Sequence, residues 1–166
     1  MKVNIALLTV TDTRTFDNDK SGSILVKKIE EADHFLFDRK ICKDNKNDIV
    51  LILKEWLKNP KIDVIITTGG TGLTGRDITP EALEEIAEKH IPGFGEVFRT
   101  LSLKSVGTSS IQSRACAVLS NGKYIFALPG SSGGVTDAWE GILKYQLDIN
   151  HKPCNFVELF PRLKEK

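Results

Sequence analysis

The sequence predicts a three-layer α/β/α domain built on a mostly parallel sheet. Three observations predict it. Segments rich in branched apolar residues alternate along the chain with segments of helical apolar spacing, which is the order of a sheet covered by helices. The run Ile62-Asp63-Val64-Ile65-Ile66-Thr67-Thr68 is apolar enough for a central strand buried on both faces. Glycine-rich turns follow two of the strand segments, at 69–75 and at 129–134.

The elements follow in order. Val3 to Val10 reads as a first strand, and not as a secretory leader, because its apolar run breaks at Thr9 and Asp12 and Arg14 follow. The polar loop Thr11 to Lys20 leads to a helix for which Ser21 is the expected cap, with Ile24, Leu25, Ile29 and Ala32 at helical spacing. Phe35 to Ile41 reads as a second, more exposed strand. A helix then places Ile49, Ile52, Leu53, Trp56 and Leu57 on one stripe and stops before Pro60. After the central strand and its glycine turn, Thr79 is the expected cap of a helix with Pro80 in its first position and Glu81 in its first turn. Pro92-Gly93 is expected to end that helix, with another over Glu96 to Lys104. Ala115 to Leu119 and Tyr124 to Leu128 read as strands joined by the tight turn Asn121-Gly122. A last helix carries Val135, Ala138, Trp139, Ile142 and Leu143. From about residue 151 the prolines Pro153 and Pro161 predict a short irregular arm.

A chain of 166 residues is expected to form one domain over 1–166. A domain of that length buries roughly 70% of its unfolded surface and needs no metal or disulfide for stability. The net charge of +1, with acids and bases intermixed, gives no electrostatic support for nucleic-acid or membrane-surface binding. Cys42, Cys116 and Cys154 are odd in number and far apart, which predicts reduced thiols and a cytoplasmic protein. His34, His90 and His151 show no metal-ligand spacing. No stretch is apolar over the length of a membrane span.

In open α/β sheets ligands sit beyond the carboxyl ends of the strands. Three loops leave a strand there: Thr11 to Lys20, Gly69 to Ile78, and Pro129 to Gly134. In the middle loop Gly69, Gly70, Gly72 and Gly75 allow close backbone approach to an anion. The Thr67, Thr68 and Thr71 hydroxyls are expected to add donors. The loop matches neither the Gly-Lys-Ser/Thr phosphate loop nor the GxGxxG dinucleotide turn. Asp77 reads either as a second helix cap or as a carboxylate that holds Mg²⁺ on a phosphate. Asp44 and Asp12 also stand at strand ends, and Asp44 taken alone reads more readily as a helix cap. Arg114 suits either bidentate phosphate binding or a structural ion pair.

Seven segments together resemble one family. They are Leu8-Thr9-Val10-Thr11-Asp12-Thr13-Arg14, Asp19-Lys20-Ser21-Gly22, the 67–72 turn, Asp77-Ile78-Thr79-Pro80-Glu81-Ala82, Pro92-Gly93-Phe94-Gly95-Glu96, Gln112-Ser113-Arg114-Ala115 and Leu128-Pro129-Gly130-Ser131. The chain resembles the MoaB/MogA family of molybdenum cofactor biosynthesis proteins over nearly its whole length. Ala138-Trp139-Glu140-Gly141, Gln146-Leu147-Asp148 and Pro153-Cys154-Asn155-Phe156 look like the MoaB branch.

The resemblance implies a molybdopterin-binding domain that adenylylates molybdopterin with ATP and Mg²⁺, or a non-catalytic molybdopterin carrier in the same pathway. It assigns catalysis to Asp77 and Asp44 and leaves the metal ligands open. It implies ligand contacts from Thr11, Asp12, Ser21 and Gly22 in the first region. Thr68, Gly69, Gly70, Thr71, Gly72, Thr79, Pro80 and Glu81 are implied in the second, and Ser113, Arg114, Pro129, Gly130 and Ser131 in the third. It also implies a homo-oligomer, trimer or hexamer, with Trp139 and the tail as candidate interface elements. Family members often have serine at Thr11, and the MogA branch has proline before the aspartate at Asp44. A related metal-dependent pyrophosphate hydrolase needs two adjacent aspartates after the glycine turn, and Arg76-Asp77-Ile78 offers one.

Overall fold

The computed structural model describes Met1 to Glu165. Its first half repeats strand and helix: β1 (Asn4–Val10), α1 (Lys20–Glu31), β2 (Phe35–Cys42), α2 (Lys46–Lys58), β3 (Val64–Thr68) and α3 (Thr79–Ile86). The second half adds β4 (Lys89–His90), α4 (Pro92–Val106), β5 (Cys116–Ser120), β6 (Lys123–Leu128) and α5 (Ser132–Ala138). Helix α5 runs on through a π-helical segment, Trp139–Leu143, into α6 (Lys144–Gln146). The six strands form one sheet in the order β2-β1-β3-β6-β5-β4. Pairs β1–β2, β1–β3 and β3–β6 are parallel, and β5 runs against both of its neighbours.

The alternation of side chains along each strand builds two cores. Ile5 and Leu7 of β1, with Val64 and Ile66 of β3, face Leu25, Ile29, Phe94, Phe98 and Trp139 on one side. Ala6, Leu8 and Ile65 face Ile49, Leu53, Trp56 and Leu83 on the other. Each large apolar side chain removed from water in these layers contributes on the order of 1.5–3 kcal/mol. The fold class agrees with the sequence reading, and the parallel pairs run from the β2 edge to β6, with the antiparallel pairs at the other edge.

Local departures have physical reasons. Helix α1 is capped by Asp19, whose Oδ1 accepts the N–H of Gly22 at 2.9 Å, and not by Ser21, which is buried one residue inside the helix. Helix α3 has no side-chain cap: the Thr79 hydroxyl donates to Gly69 O at 2.9 Å instead, tying the helix start to the glycine turn. Pro92 opens α4 in its first position, so the helix begins earlier than expected. Strand β4 has two residues and no apolar alternation, which left no signal in the sequence. Asn121 and Gly122 both have positive φ, as the tight turn between β5 and β6 requires.

The tail is irregular from His151 to Phe156, but it packs on the core and does not stand out as an arm. Phe156 and Phe160 pack their rings 4.6 and 5.7 Å from that of Tyr124, and Val157 opens a 3₁₀ turn on the core. Trp139 is 1% exposed, which removes it as a candidate interface residue.

Candidate functional site

The carboxyl ends of β1, β3 and β6 open into one cavity of about 610 Å³. Its floor is set by strand register, because Thr9 of β1 lies opposite Thr68 of β3, and Thr68 opposite Leu128 of β6. The loops after these strands make its walls. Gly69 has φ +104°, and a Cβ there would fall 2.2 Å from Val10 O, so only glycine lets the β3 turn lie against the end of β1. Gly70 has φ +67°, and a Cβ on it would come 3.3 Å from the Asp44 carboxylate. This close passage brings the turn to the end of β2.

Of the residues singled out from the sequence, Thr11, Ser21, Asp44, Thr68, Gly69, Gly70, Thr71, Gly72 and Asp77 line the cavity. So do Ser113, Pro129, Gly130 and Ser131. Asp44 and Asp77 thus meet in one space from different strand ends. Capping explains neither. Asn45 caps α2, accepting the N–H groups of Asn47 and Asp48 at 2.9 and 3.2 Å. Asp77 bends back to Thr74, whose N–H and hydroxyl donate to its Oδ2 at 2.9 and 2.7 Å.

Six other residues lie behind or beside the lining. Asp12 stands at the rim, where Arg76 donates to both of its carboxylate oxygens, and it accepts the N–H of Asp44 at 3.2 Å. Gly22 gives its N–H to Asp19. Thr79 holds the glycine turn from behind, with Pro80 next to it in α3. Arg114 donates to Gly72 O and Asp77 O at 2.7 Å each and pairs with the Glu81 carboxylate. Its guanidinium is therefore spent on fixing the two ends of the glycine loop, and Glu81 on holding the guanidinium. Neither reaches the cavity, which corrects the expectation that both contact ligand. The threonines also differ from expectation. Thr67 is fully buried on the opposite side of β3 with its hydroxyl unpartnered, and Thr68 donates to Pro129 O at 2.7 Å.

Sequence reasoning placed no role on Thr9, Val10, Thr13, Arg14 and Gln112, which also line the cavity. Arg14 is its sole basic lining residue and makes no ion pair among the described residues. All five fall inside the quoted motif segments, which was the one signal available.

The electrostatics separate the two aspartates. Burial, then the Asp12 carboxylate, pushes Asp44 above the ordinary carboxylate value. Burial also opposes ionisation of Asp77, but the hydrogen bonds from Thr74 and Gly72 outweigh it and leave the group below that value. Asp77 is thus a fixed anion and Asp44 the more readily protonated partner. No cluster of three or more His, Cys, Asp or Glu suited to a metal occurs among the described residues. Two carboxylates in a cavity of oxygen donors nevertheless fit Mg²⁺, which keeps several waters and takes one or two carboxylates beside substrate phosphates. No helix among the described residues is long and apolar enough to cross a membrane.

Comparison with known proteins accords with this geometry. Residues 6–148 match the family described as "Probable molybdopterin binding domain". The chain is 44% identical over 161 residues to Molybdenum cofactor biosynthesis protein B of Escherichia coli (strain K12), covering 97% of this chain and 93% of that protein. A crystal structure of a Molybdenum cofactor biosynthesis protein B superposes with a TM-score of 0.89 at 35% identity, over 100% of this chain and 98% of the other. The tungsten cofactor synthesizing protein MoaB from Pyrococcus furiosus gives a TM-score of 0.77 at 34% identity, over 86% and 91% of the two chains. The chain belongs to the MoaB/MogA family of molybdenum cofactor biosynthesis proteins, in its MoaB branch.

Proposed function

We propose that this cavity binds molybdopterin and ATP and transfers the adenylyl group to the pterin. The observation that carries the reading is the meeting of Asp44 and Asp77 with the 69–72 turn in one cavity. Two carboxylates facing phosphates repel them unless a cation intervenes, and Mg²⁺ supplies that charge and polarises the phosphoryl oxygens. Asp77, ionised at all physiological pH values, and Asp44 are the groups that would hold it. In the reaction a terminal phosphate oxygen of the pterin forms a bond to the α-phosphorus of ATP, and the bond from that phosphorus to the pyrophosphate oxygen breaks. No protein nucleophile takes part. The chain contributes positioning and fixed charge, which are the main requirements of phosphoryl transfer.

Arg14 meets the ligand's negative charge from the loop after β1. Arg114 acts indirectly, by fixing the loop that carries Asp77. The reading includes a cytoplasmic homo-oligomer, trimer or hexamer, consistent with the free cysteines. Light scattering at micromolar concentration tests the assembly, and a monomer contradicts it.

The deciding assay incubates the protein with molybdopterin and MgATP and separates the products. Adenylylated pterin and pyrophosphate in equal amounts are expected. Tight pterin binding without product above a no-enzyme control replaces the enzyme with a carrier.

A further inference from the structure

Asp44 and Asp77 reach the cavity from segments that are held in different ways. Asp77 belongs to a closed turn. The Asp77 N–H donates to Thr74 O at 3.0 Å, and Thr74 donates twice to the Asp77 carboxylate. The Thr74 hydroxyl also accepts the Arg76 N–H at 3.3 Å. Arg114 holds Asp77 O from outside the turn at 2.7 Å. Arg76 and Asp77 therefore belong to one rigid unit. Asp44 stands on the short link between β2 and α2, and its partner is Asp12. The Asp44 N–H donates to Asp12 Oδ1 at 3.2 Å, and a backbone hydrogen bond from Asp12 acts on the Asp44 carboxylate in return.

The two units are joined at one point. Arg76 lays its guanidinium fork on the Asp12 carboxylate through three hydrogen bonds of 2.7 to 2.9 Å. Among the described residues this is the one hydrogen-bonded or ionic link from the 69–78 loop to the 11–20 loop or to the 43–45 link. The approach beside it is close, since a Cβ on Gly70 would come 3.3 Å from Asp44 Oδ1. A fork on a carboxylate fixes direction as well as distance.

We propose that the Arg76–Asp12 pair is a brace that sets the spacing of Asp44 and Asp77 across the cavity, which makes Asp12 and Arg76 positioning residues of the reaction. The inference rests on the reading of Asp44 and Asp77 as the acting pair and adds what holds them in relation to each other. Arg76 acts through Asp12, and Asp12 through the backbone of Asp44. An exposed ion pair contributes little to folding. A displacement of about 1 Å at a reacting centre, by contrast, costs up to about 100-fold in rate. Loss of the brace thus separates activity from stability.

The test is a double-mutant cycle on the full chain with Asp12→Ala, Arg76→Ala and the double variant, with Asp12→Asn and Arg76→Lys beside them. Three quantities are read: steady-state turnover of molybdopterin with MgATP, the order of the Asp44 backbone amide by nitrogen relaxation NMR, and the urea midpoint. Arg76→Ala is expected to lower kcat about tenfold and to leave KM for the pterin within about twofold. It is also expected to loosen the Asp44 amide while the urea midpoint stays at the wild-type value. The double variant is expected to be no slower than Asp12→Ala, because either substitution breaks the same brace. Asp12→Asn keeps an acceptor for the Asp44 N–H and is expected to fall between the wild-type protein and Asp12→Ala. Arg76→Lys keeps the charge without the fork and is expected to fall between the wild-type protein and Arg76→Ala.

Losses that multiply in the double variant mean that Arg76 meets the ligand itself, and they overturn the inference. An Asp44 amide as rigid in both alanine variants as in the wild-type protein also overturns it. A wild-type protein that binds pterin without turnover overturns the adenylylation reading, and the amide measurement then decides the brace by itself.

Discussion

Arg76 grips the carboxylate of Asp12 through three hydrogen bonds of 2.7 to 2.9 Å, joining the loop after β1 to the loop after β3 at the rim of the cavity. The pair is solvent-exposed, so it adds little to stability. Its consequence is electrostatic, because Asp12 also receives the N–H of Asp44. Asp12 pushes the Asp44 pKa up and Arg76 pulls it down. In Arg76→Ala the negative charge of Asp12 is no longer neutralised, and Asp44 is expected to titrate at higher pH than in the wild-type protein. Carboxyl-carbon NMR titration reads this directly, and a downward shift contradicts it.

Asp77→Asn keeps the shape of the side chain and an acceptor for Thr74 but removes the fixed negative charge. Adenylylation is expected to fall about 100-fold or more, as for loss of a group acting on transition-state charge, while pterin affinity changes little. Asp44→Asn is expected to behave alike. Steady-state rates together with pterin titration separate the two quantities, and a variant with unchanged turnover removes that aspartate from the mechanism.

Arg114 reaches three acceptors on two segments, Gly72 O, Asp77 O and the Glu81 carboxylate. A lysine cannot reproduce that planar fork. Arg114→Lys is expected to lower stability by about 1–2 kcal/mol, because two partly buried carbonyls lose charge-assisted partners. Urea denaturation measures it. Unchanged stability would mean that the glycine loop is held by Thr79 alone.

Asp19 makes the protein acid-sensitive. Burial opposes its ionisation, but the hydrogen bonds from Thr9, Gly22 and Arg39 prevail and set its pKa below the ordinary 3.8. Its contribution is present above that value. It is lost as pH falls from about there through the lower folded pKa, because the unfolded chain takes up the proton first. Asp19→Asn is expected to flatten that part of the stability profile. Denaturant midpoints between mildly acidic and strongly acidic buffers check the slope.

Burial raises the thiol of Cys42 to about 12 and that of Cys116 to about 11. Thiolate, the reactive form, is therefore scarce on both at mildly alkaline pH. Cys154 is exposed. A colorimetric thiol reagent at that pH is expected to label Cys154 in the folded protein and the other two after unfolding. Fast labelling of Cys42 in the folded state contradicts its partly buried placement.

The sequence by itself determined the layered α/β fold, because apolar period and glycine turns are local properties of the chain. Ile62 to Thr68 announces a strand buried on both faces, and Asn121-Gly122 announces the turn that follows β5. It also placed Asp44 and Asp77 at strand ends, from which a shared cavity follows once the strands lie side by side.

Only the tertiary structure decided what each polar group does. Ser21, Thr79 and Arg114 all stand in motif segments, yet Ser21 is not the cap, Thr79 ties down the glycine turn, and Arg114 clamps a loop. Arg14 gave no sign in its own segment of being the cavity's basic residue. Hydrogen-bond donors and acceptors are assigned by neighbours distant in sequence, such as Thr68 and Pro129. The direction of a hydroxyl proton is fixed by those long-range partners and is not written in any local run of residues.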